Sequence, residues 1–358
     1  MNNKAVIAMS GGVDSSVAAY LMKQRGFDCI GVTMKLFANE DIGISREHSC
    51  CSLDDVEDAR SVAYSLDMPY YVFNFSDRFE TDVIDRFVHA YENGITPNPC
   101  IYCNRYLKFD KLYMRAKELD RDYVVTGHYA RVEKDENGRF LLKKALDDTK
   151  DQSYVLYCLT QEQLSHTIFP LGEMRKSQAR EIAESQGFIN ARKADSQDIC
   201  FVQNGSYADF IEQYTGKNYP DGDFLDKDGN IIGRHKGVIR YTVGQRKGLG
   251  ISAPEPLYVK AVNPVSNTVT LSYNDGLYSS IVKAGDINLI SVPEIKGEMR
   301  VKAKVRYRHT EQWATVTQNG DTITAVFDEP QRAVTCGQAL VLYDGDIVVG
   351  GGTIIEVE

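Results

Sequence analysis

Six residues near the start of the chain, Ser10-Gly11-Gly12-Val13-Asp14-Ser15, have the types and the spacing of a phosphate cradle. An apolar run at residues 5–9 precedes them, and Val17, Leu21 and Met22 recur at helical spacing after them, so the loop joins a strand to a helix. Glycines let a backbone approach an anion closely, while Ser10, Ser15, Ser16 and the first helix amides aim their donors at one point. A Walker loop ends in Gly-Lys-Ser or Gly-Lys-Thr. This loop carries no lysine, so it suits cleavage between the α- and β-phosphates of a nucleotide rather than transfer of the terminal phosphate. The plainer alternative, a Gly-Gly turn with a serine cap, leaves the strand, the helix and Asp14 unexplained. Ala8 and Met9 lead into the cradle and belong to the expected nucleotide site. In an open parallel sheet the ligand lies beyond the carboxyl ends of the strands, which adds Met34 and Gly127 as candidates, although a strand methionine is equally a core residue.

Thiols are the second source of chemistry. Cys100 and Cys103 stand in Thr96-Pro97-Asn98-Pro99-Cys100-Ile101-Tyr102-Cys103-Asn104, a stiff loop leading into a helix marked by Leu107 and Leu112, with Asn104 as the expected N-cap. A thiol at a helix N-terminus has its pKa lowered, which makes Cys103 a nucleophile candidate. A structural zinc ligand and a thioredoxin-like redox pair are the alternatives, but no second Cys-x-x-Cys completes a zinc site. Cys200, in residues 195–201, reads alone as a core cysteine, as do Cys29 and Cys158; Cys50, Cys51 and Cys336 carry no signal.

The elements that must position these groups follow from periodicity. Strands are expected at residues 5–9, 29–34, 70–75 and 123–126. Helices are expected around Leu53, Val56, Val62 and Leu66, around Phe79, Val83, Phe87 and Tyr91 up to Asn93-Gly94, over residues 177–186, and over 206–214. That is an α/β doubly wound parallel sheet. From about residue 224 the helical signal vanishes, and short strands alternate with the turns Asp228-Gly229, Asn274-Asp275-Gly276, Asn319-Gly320 and Asp344-Gly345. The expected division is a catalytic domain at 1–204, a small β-rich domain at 205–275 and a C-terminal β-barrel at 276–358.

A chain of 358 residues with 43% hydrophobic content is long enough for such a division. A net charge of -9 excludes a protein that coats nucleic acid indiscriminately, so any polyanion contact must be local. Two segments supply candidates. Arg300, Lys302, Lys304, Arg306 and Arg308 alternate with Val301, Ala303, Val305 and Tyr307, which on a strand gathers the cations on one face, as RNA contact would need; a solvated barrel face is the alternative. Residues 233–250 hold Arg234, Lys236, Arg240, Arg246 and Lys247 without an acid and suit a mobile loop closing on a flipped base. No apolar run reaches membrane-spanning length, residues 1–9 lack the layout of a signal peptide, and the cysteines do not form a disulfide framework, so a cytoplasmic protein with reduced thiols is expected.

Taken together, these segments resemble the tRNA-specific 2-thiouridylase (MnmA) family of the ATP-pyrophosphatase superfamily, essentially from end to end. The likeness is carried by the phosphate loop, Asn98-Pro99, Cys103-Asn104, Thr126-Gly127-His128-Tyr129, Lys150-Asp151-Gln152-Ser153, Asp195-Ser196, Ile199-Cys200-Phe201, Tyr-Thr-Val-Gly-Gln-Arg-Lys-Gly at 241–248, and Val305-Arg306-Tyr307. It implies adenylation of the wobble uridine by ATP, with Mg2+ expected alongside, then entry of sulfur at carbon 2. Cys200 is implied to carry a persulfide, delivered by a persulfide carrier or a cysteine desulfurase. Cys103 is implied to release that sulfur, leaving a transient disulfide with Cys200. Asn98, Pro99 and Cys100 are implied to line the target base, and His128, Lys150, Asp151, Gln152, Arg306, Tyr307 and Gln338 to touch the tRNA. Many relatives carry Asp where this chain has Cys100, which leaves open whether position 100 orients a group, takes part in redox chemistry or binds metal, as in an iron-sulfur site built from Cys100, Cys103 and Cys200. An amide-forming ligase and a non-catalytic RNA-binding protein are the competing readings of the fold.

Overall fold

The computed structural model describes residues 2–37, 53–195, 199–202 and 206–358; Cys50, Cys51 and Ser196 lie outside the described residues. The first domain contains β1 (Lys4–Ala8), β2 (Asp28–Lys35), β3 (Tyr70–Asn74), β4 (Tyr123–Val125), the hairpin β5 (Arg131–Lys134) and β6 (Phe140–Lys143), and β7 (Thr167–Ile168). Five of these form a parallel sheet in the order β3-β2-β1-β4-β7. Ala5, Val6 and Ile7 of β1 are fully buried, as a strand covered by helices on both faces requires. Chain order reverses on either side of β1, so the crevice expected to hold a ligand opens at the ends of β1 and β4.

Helix α1 (Val13–Gln24) buries Val17, Ala18, Ala19 and Met22. Helix α2 (Leu53–Ser65) differs from the expected pattern: Leu53 is exposed, and Asp55, Ala59, Val62 and Ala63 form the buried face. The two alanines admit close approach to the sheet, and Asp55 is buried because Lys193 meets it at 2.5 Å. Phe79, Val83, Phe87 and Tyr91 are all buried along residues 76–92, in a helix that passes through a π-helical segment, Glu80–Ile84, and stops before Gly94 at φ +70°.

Helix Tyr207–Thr215 begins at the N-cap Ser206 and ends on Gly216 at φ +64°. It leads into an antiparallel and parallel sheet of β8 (Gly222–Leu225), β9 (Ile231–His235), β10 (Tyr258–Asn263) and β11 (Thr268–Ser272), ordered β10-β11-β8-β9. The last unit comprises β12 (Tyr278–Leu289), β13 (Met299–Lys304), β14 (Gln312–Asn319), β15 (Thr322–Arg332), β16 (Ala339–Asp344) and β17 (Ile347–Val357). These run β12-β15-β14-β13-β16-β17, and β12 also pairs with β17, which closes a six-stranded barrel. Asp228-Gly229, Asn319-Gly320 and Asp344-Gly345 are hairpin turns as expected, whereas Asn274–Leu277 is a 3-10 helix. The β5–β6 hairpin leaves the first domain and joins the barrel sheet through Lys143 opposite Ile347. Among the described residues no helix is long and apolar enough to cross a membrane.

Candidate active site

The loop between β1 and α1 sits at the crevice, and its hydrogen bonds leave the first helix amides available to an anion while the Ser15 and Ser16 hydroxyls, expected to point at it, are turned inward. Ser15 Oγ donates to the Gly12 carbonyl at 3.0 Å and accepts from the Ser10 amide at 3.2 Å; Ser16 Oγ donates to the same carbonyl at 3.1 Å. Helix α1 has Gly12 as N-cap with no side-chain cap, so its first amides face the loop without intrahelical partners. Two glycines are demanded by packing. Gly11 has φ +73° and a Cβ there would lie 2.4 Å from the Asp55 carbonyl oxygen; a Cβ on Gly127, after β4, would lie 2.8 Å from the Ser15 nitrogen. Gly12 is different, because a Cβ would meet only Ser10 Oγ at 3.5 Å. Met9 buries its side chain against Gly31, its amide is held by the Val32 carbonyl at 2.8 Å and its carbonyl by Thr33 Oγ1 at 2.7 Å, so it fixes the loop's exit from the strand. Ala8 and Met34 are half-buried at the ends of β1 and β2.

Asp14 is bound by a residue the sequence reading missed. Lys176 Nζ lies 2.7 Å from both Asp14 oxygens and 2.8 Å from Asp195 Oδ1, and Tyr129 donates to Asp14 at 2.8 Å. Lys150 and Arg180 close on Asp195 at 2.9 and 2.8 Å. Burial pushes the Asp195 carboxyl up, but the hydrogen bonds from Lys176 and Lys150 outweigh it and hold the group down at about 2. The available signal was positional. Lys176 opens the helix Lys176–Ser185, where the dipole disfavours a cation unless carboxylates receive it. Asn190 Nδ2 adds a 2.9 Å bond to the Gly11 carbonyl. Lys176→Met is expected to cost on the order of 2 kcal/mol of stability, less than a fully buried pair because Asp14 and Asp195 keep 32% and 25% of their side-chain exposure. ATP-dependent AMP formation should fall at least about tenfold in the same variant as Asp14 swings from its place; thermal unfolding and AMP release measure the two effects.

The cysteine loop is arranged otherwise than expected. Asn98, not Asn104, is the N-cap: its side chain accepts from the Cys100 amide at 3.2 Å, and Pro99 opens the helix Pro99–Tyr102. A proline at that position carries no amide to leave unsatisfied, so the helix starts one turn earlier and continues through Cys103–Lys111 and Leu112–Glu118. Asn104 is buried inside it, donating to the Val155 carbonyl at 2.9 Å. The thiol in the first turn is therefore that of exposed Cys100, while Cys103 lies a turn further on and is buried. Cys103 and half-buried Cys200 share one apolar cluster with Phe87, Phe201 and Ile199. Burial pushes the thiols of Cys29 and Cys158 up to about 11 and about 12, in keeping with core positions. Among the described residues no three His, Cys, Asp or Glu side chains are gathered as a metal site.

The barrel fastens this loop. Gln338 Nε2 donates to the carbonyls of Thr96 at 2.9 Å and Pro97 at 3.2 Å, and the Thr96 amide bonds to the Cys336 carbonyl at 3.0 Å. Gln152 Oε1 and the Tyr129 amide bond at 2.9 Å, and Asp151 accepts from the Ala145 amide at 3.1 Å. Tyr307 donates to the Asp151 carbonyl at 3.3 Å. Arg306 bonds the Val243 carbonyl at 2.9 Å and Thr335 Oγ1, and its Nε is buried without a partner among the described residues. His128 is buried against Phe109 and Phe169, with Thr126 Oγ1 at 2.7 Å from Nδ1; burial, then the Lys108 charge, holds its pKa well below the usual histidine value.

Both basic segments are partly neutralised. Strand β13 ends at Lys304, so Arg306 and Arg308 fall in the following turn and only Arg300, Lys302 and Lys304 share a strand face. Asp328 pairs with Arg300, and Glu311 lies 3.8 Å from Lys302. In residues 233–250, Asp223, Asp221, Asp209 and Glu212 from neighbouring elements pair with Arg234, Lys236 and Arg240. Val238, Ile239 and Tyr241 are buried, whereas Arg246 and Lys247 are exposed. A cavity of about 530 Å³ opens there among Glu212, Tyr219, Asp221, Lys236, Arg240 and Tyr241, and neither a residue of the phosphate loop nor Cys103 nor Cys200 lines it.

A doubly wound sheet with a lysine-free phosphate loop at its switch point defines the class: a PP-loop domain of the ATP-using type. Three family models match in succession: the "tRNA methyl transferase HUP domain" at residues 3–204, the "tRNA methyl transferase PRC-barrel domain" at 208–273 and the "Aminomethyltransferase beta-barrel domain" at 279–354. Curated relatives named tRNA-specific 2-thiouridylase MnmA are 52% identical in Clostridioides difficile strain 630, over 99% of this chain and 98% of the relative, and 52% identical in Lachnoclostridium phytofermentans, over 99% of each. A third, from Thermoanaerobacter sp. strain X514, is also 52% identical over 99% of this chain and 98% of its own length. The chain belongs to the tRNA-specific 2-thiouridylase (MnmA) family.

Proposed function

We propose that this chain is a cytoplasmic, ATP-dependent sulfurtransferase that exchanges the 2-oxygen of the wobble uridine for sulfur in the tRNAs for Lys, Glu and Gln. The observation that carries the reading is the placement of Cys103 and Cys200 in one apolar cluster, on a PP-loop sheet. The uridine carbonyl oxygen attacks the α-phosphorus of ATP and pyrophosphate leaves, which turns that oxygen into part of an AMP leaving group. The loop amides and the Ser10 hydroxyl would hold the phosphates, with Mg2+ alongside. The terminal sulfur of a Cys200 persulfide then attacks carbon 2, and AMP departs with the oxygen. Cys103 thiolate attacks Cys200 Sγ; the sulfur-sulfur bond breaks, the transferred sulfur keeps its electron pair, and a Cys103–Cys200 disulfide forms for reduction by an external thiol. A persulfide carrier or a cysteine desulfurase reloads Cys200. Asn98, Pro99 and Cys100 line the base, and Gln338, which ties the barrel to that loop, borders the RNA together with Arg306 and Tyr307, which bond the Val243 and Asp151 carbonyls.

Release of AMP and pyrophosphate tests this against an amide-forming ligase, which shares the loop but uses ammonia. AMP formation should depend on unmodified tRNA and be indifferent to ammonium. AMP formed without RNA, in proportion to ammonium and an added carboxylate, would support the ligase, and no AMP under any condition would support an RNA-binding protein without catalysis.

A further inference from the structure

Of the cations on the outer face of β13, Lys304 alone pairs with no carboxylate among the described residues, since Arg300 has Asp328 and Lys302 has Glu311. It is also the one at the strand end that meets the first domain. Its Nζ lies 5.7 Å from the ring centre of Tyr307 and 5.9 Å from that of Tyr154, the two rings being 6.0 Å apart. Tyr154 is fully buried, whereas Tyr307 presents 39% of its surface to solvent. Tyr307 reaches the Asp151 backbone, and Cys100 is near enough for its charge to act on the tyrosine hydroxyl. Lys304 therefore stands over the junction of the barrel with the loop that carries the cysteines.

A half-buried ammonium without a counter-ion is a standing cost in the free protein. Burial lowers the Lys304 pKa, and the charges of Asp151 and Glu311 only partly oppose it. An anion arriving at this position recovers that cost. An exposed aromatic face beside an unneutralised cation is the pairing by which proteins hold an unstacked nucleotide, the ring taking the base and the cation the backbone.

We propose that Lys304 is a binding residue for RNA, holding the phosphodiester beside the target uridine while Tyr307 offers a stacking face to the neighbouring base. This rests on the tRNA reading of the site and specifies which cation of the barrel engages the backbone at the reacting nucleotide. Lys302, shared with Glu311, contributes less.

The test is filter binding of tRNA across a salt series, which needs no turnover, joined to steady-state thiolation. Lys304→Met should weaken binding about tenfold near physiological salt and lower the slope of log affinity against log salt by about one, the loss of one phosphate contact. KM for tRNA should rise more than kcat falls, Lys304→Arg should restore the slope, and Lys302→Met should change it less. A folded Lys304→Met protein with the wild-type slope would overturn the inference, as would a fall in kcat alone that arginine does not rescue, because that marks a packing role. Wild-type protein that binds tRNA but makes no thiouridine would instead count against the function, with the slopes still deciding the role of Lys304.

Discussion

Serine at Cys103 or at Cys200 is expected to reduce tRNA thiolation below about 1% of wild type, whereas Cys100→Ser retains substantial activity. A hydroxyl can neither carry a sulfane sulfur nor attack one, so each of the first two changes removes a distinct bond-making step. Cys103 and Cys200 lie in one apolar cluster, which supports a direct exchange between them. Cys100 is exposed in the first helical turn, where Asn98 holds its amide and the helix dipole acts on its thiol. An iron-sulfur site built on Cys100, Cys103 and Cys200 makes the opposite prediction, because all three thiolates would be ligands and Cys100→Ser would be as damaging as the others. Thiolation by the three variants, with iron analysis of anaerobically purified protein, separates the two. Bound iron in active wild type together with an inactive Cys100→Ser variant would overturn the relay.

Gly12→Val is expected to abolish ATP-dependent AMP formation, by at least about a hundredfold, while leaving the protein folded. Gly12 has ordinary extended angles, φ -90° and ψ 162°, and a Cβ would meet only Ser10 Oγ at 3.5 Å, so the backbone accepts a side chain. The branched methyls would instead occupy the space before the uncapped α1 amides, where the phosphates must lie. Gly11→Ala is the useful contrast. There a Cβ runs into the Asp55 backbone at φ +73°, and the loss should appear as lowered thermal stability as well as lowered activity. AMP formation at the normal rate by a folded Gly12→Val protein would remove the loop from the nucleotide site.

Local periodicity carried most of the fold into the sequence. The buried run of β1 and the four-residue repeat of Phe79, Val83, Phe87 and Tyr91 both read correctly because each depends on neighbours along the chain. The β5–β6 hairpin did not read, since β5 is four residues long and carries Arg131, Glu133 and Lys134, and its place beside β17 is fixed by a pairing far away in sequence. The charges failed for the same reason. Arg300 and Arg240 look unopposed in their own segments, but Asp328 and Glu212 reach them from other elements. Lys176 was missed because its two carboxylates, Asp14 and Asp195, come together only when the helix it opens packs beside α1. At the cysteine loop the residue types were legible, while the cap was not: Asn98 and Asn104 are both capping residues, and Pro99 decides between them.

The most direct measurement is mass analysis of the wobble nucleoside from unmodified lysine tRNA incubated with the protein, ATP, Mg2+ and a persulfide sulfur source. The account predicts 2-thiouridine, formed only when ATP is present, with one AMP released per sulfur transferred. Uridine left unchanged while AMP accumulates, or sulfur found at carbon 4 instead of carbon 2, would contradict it.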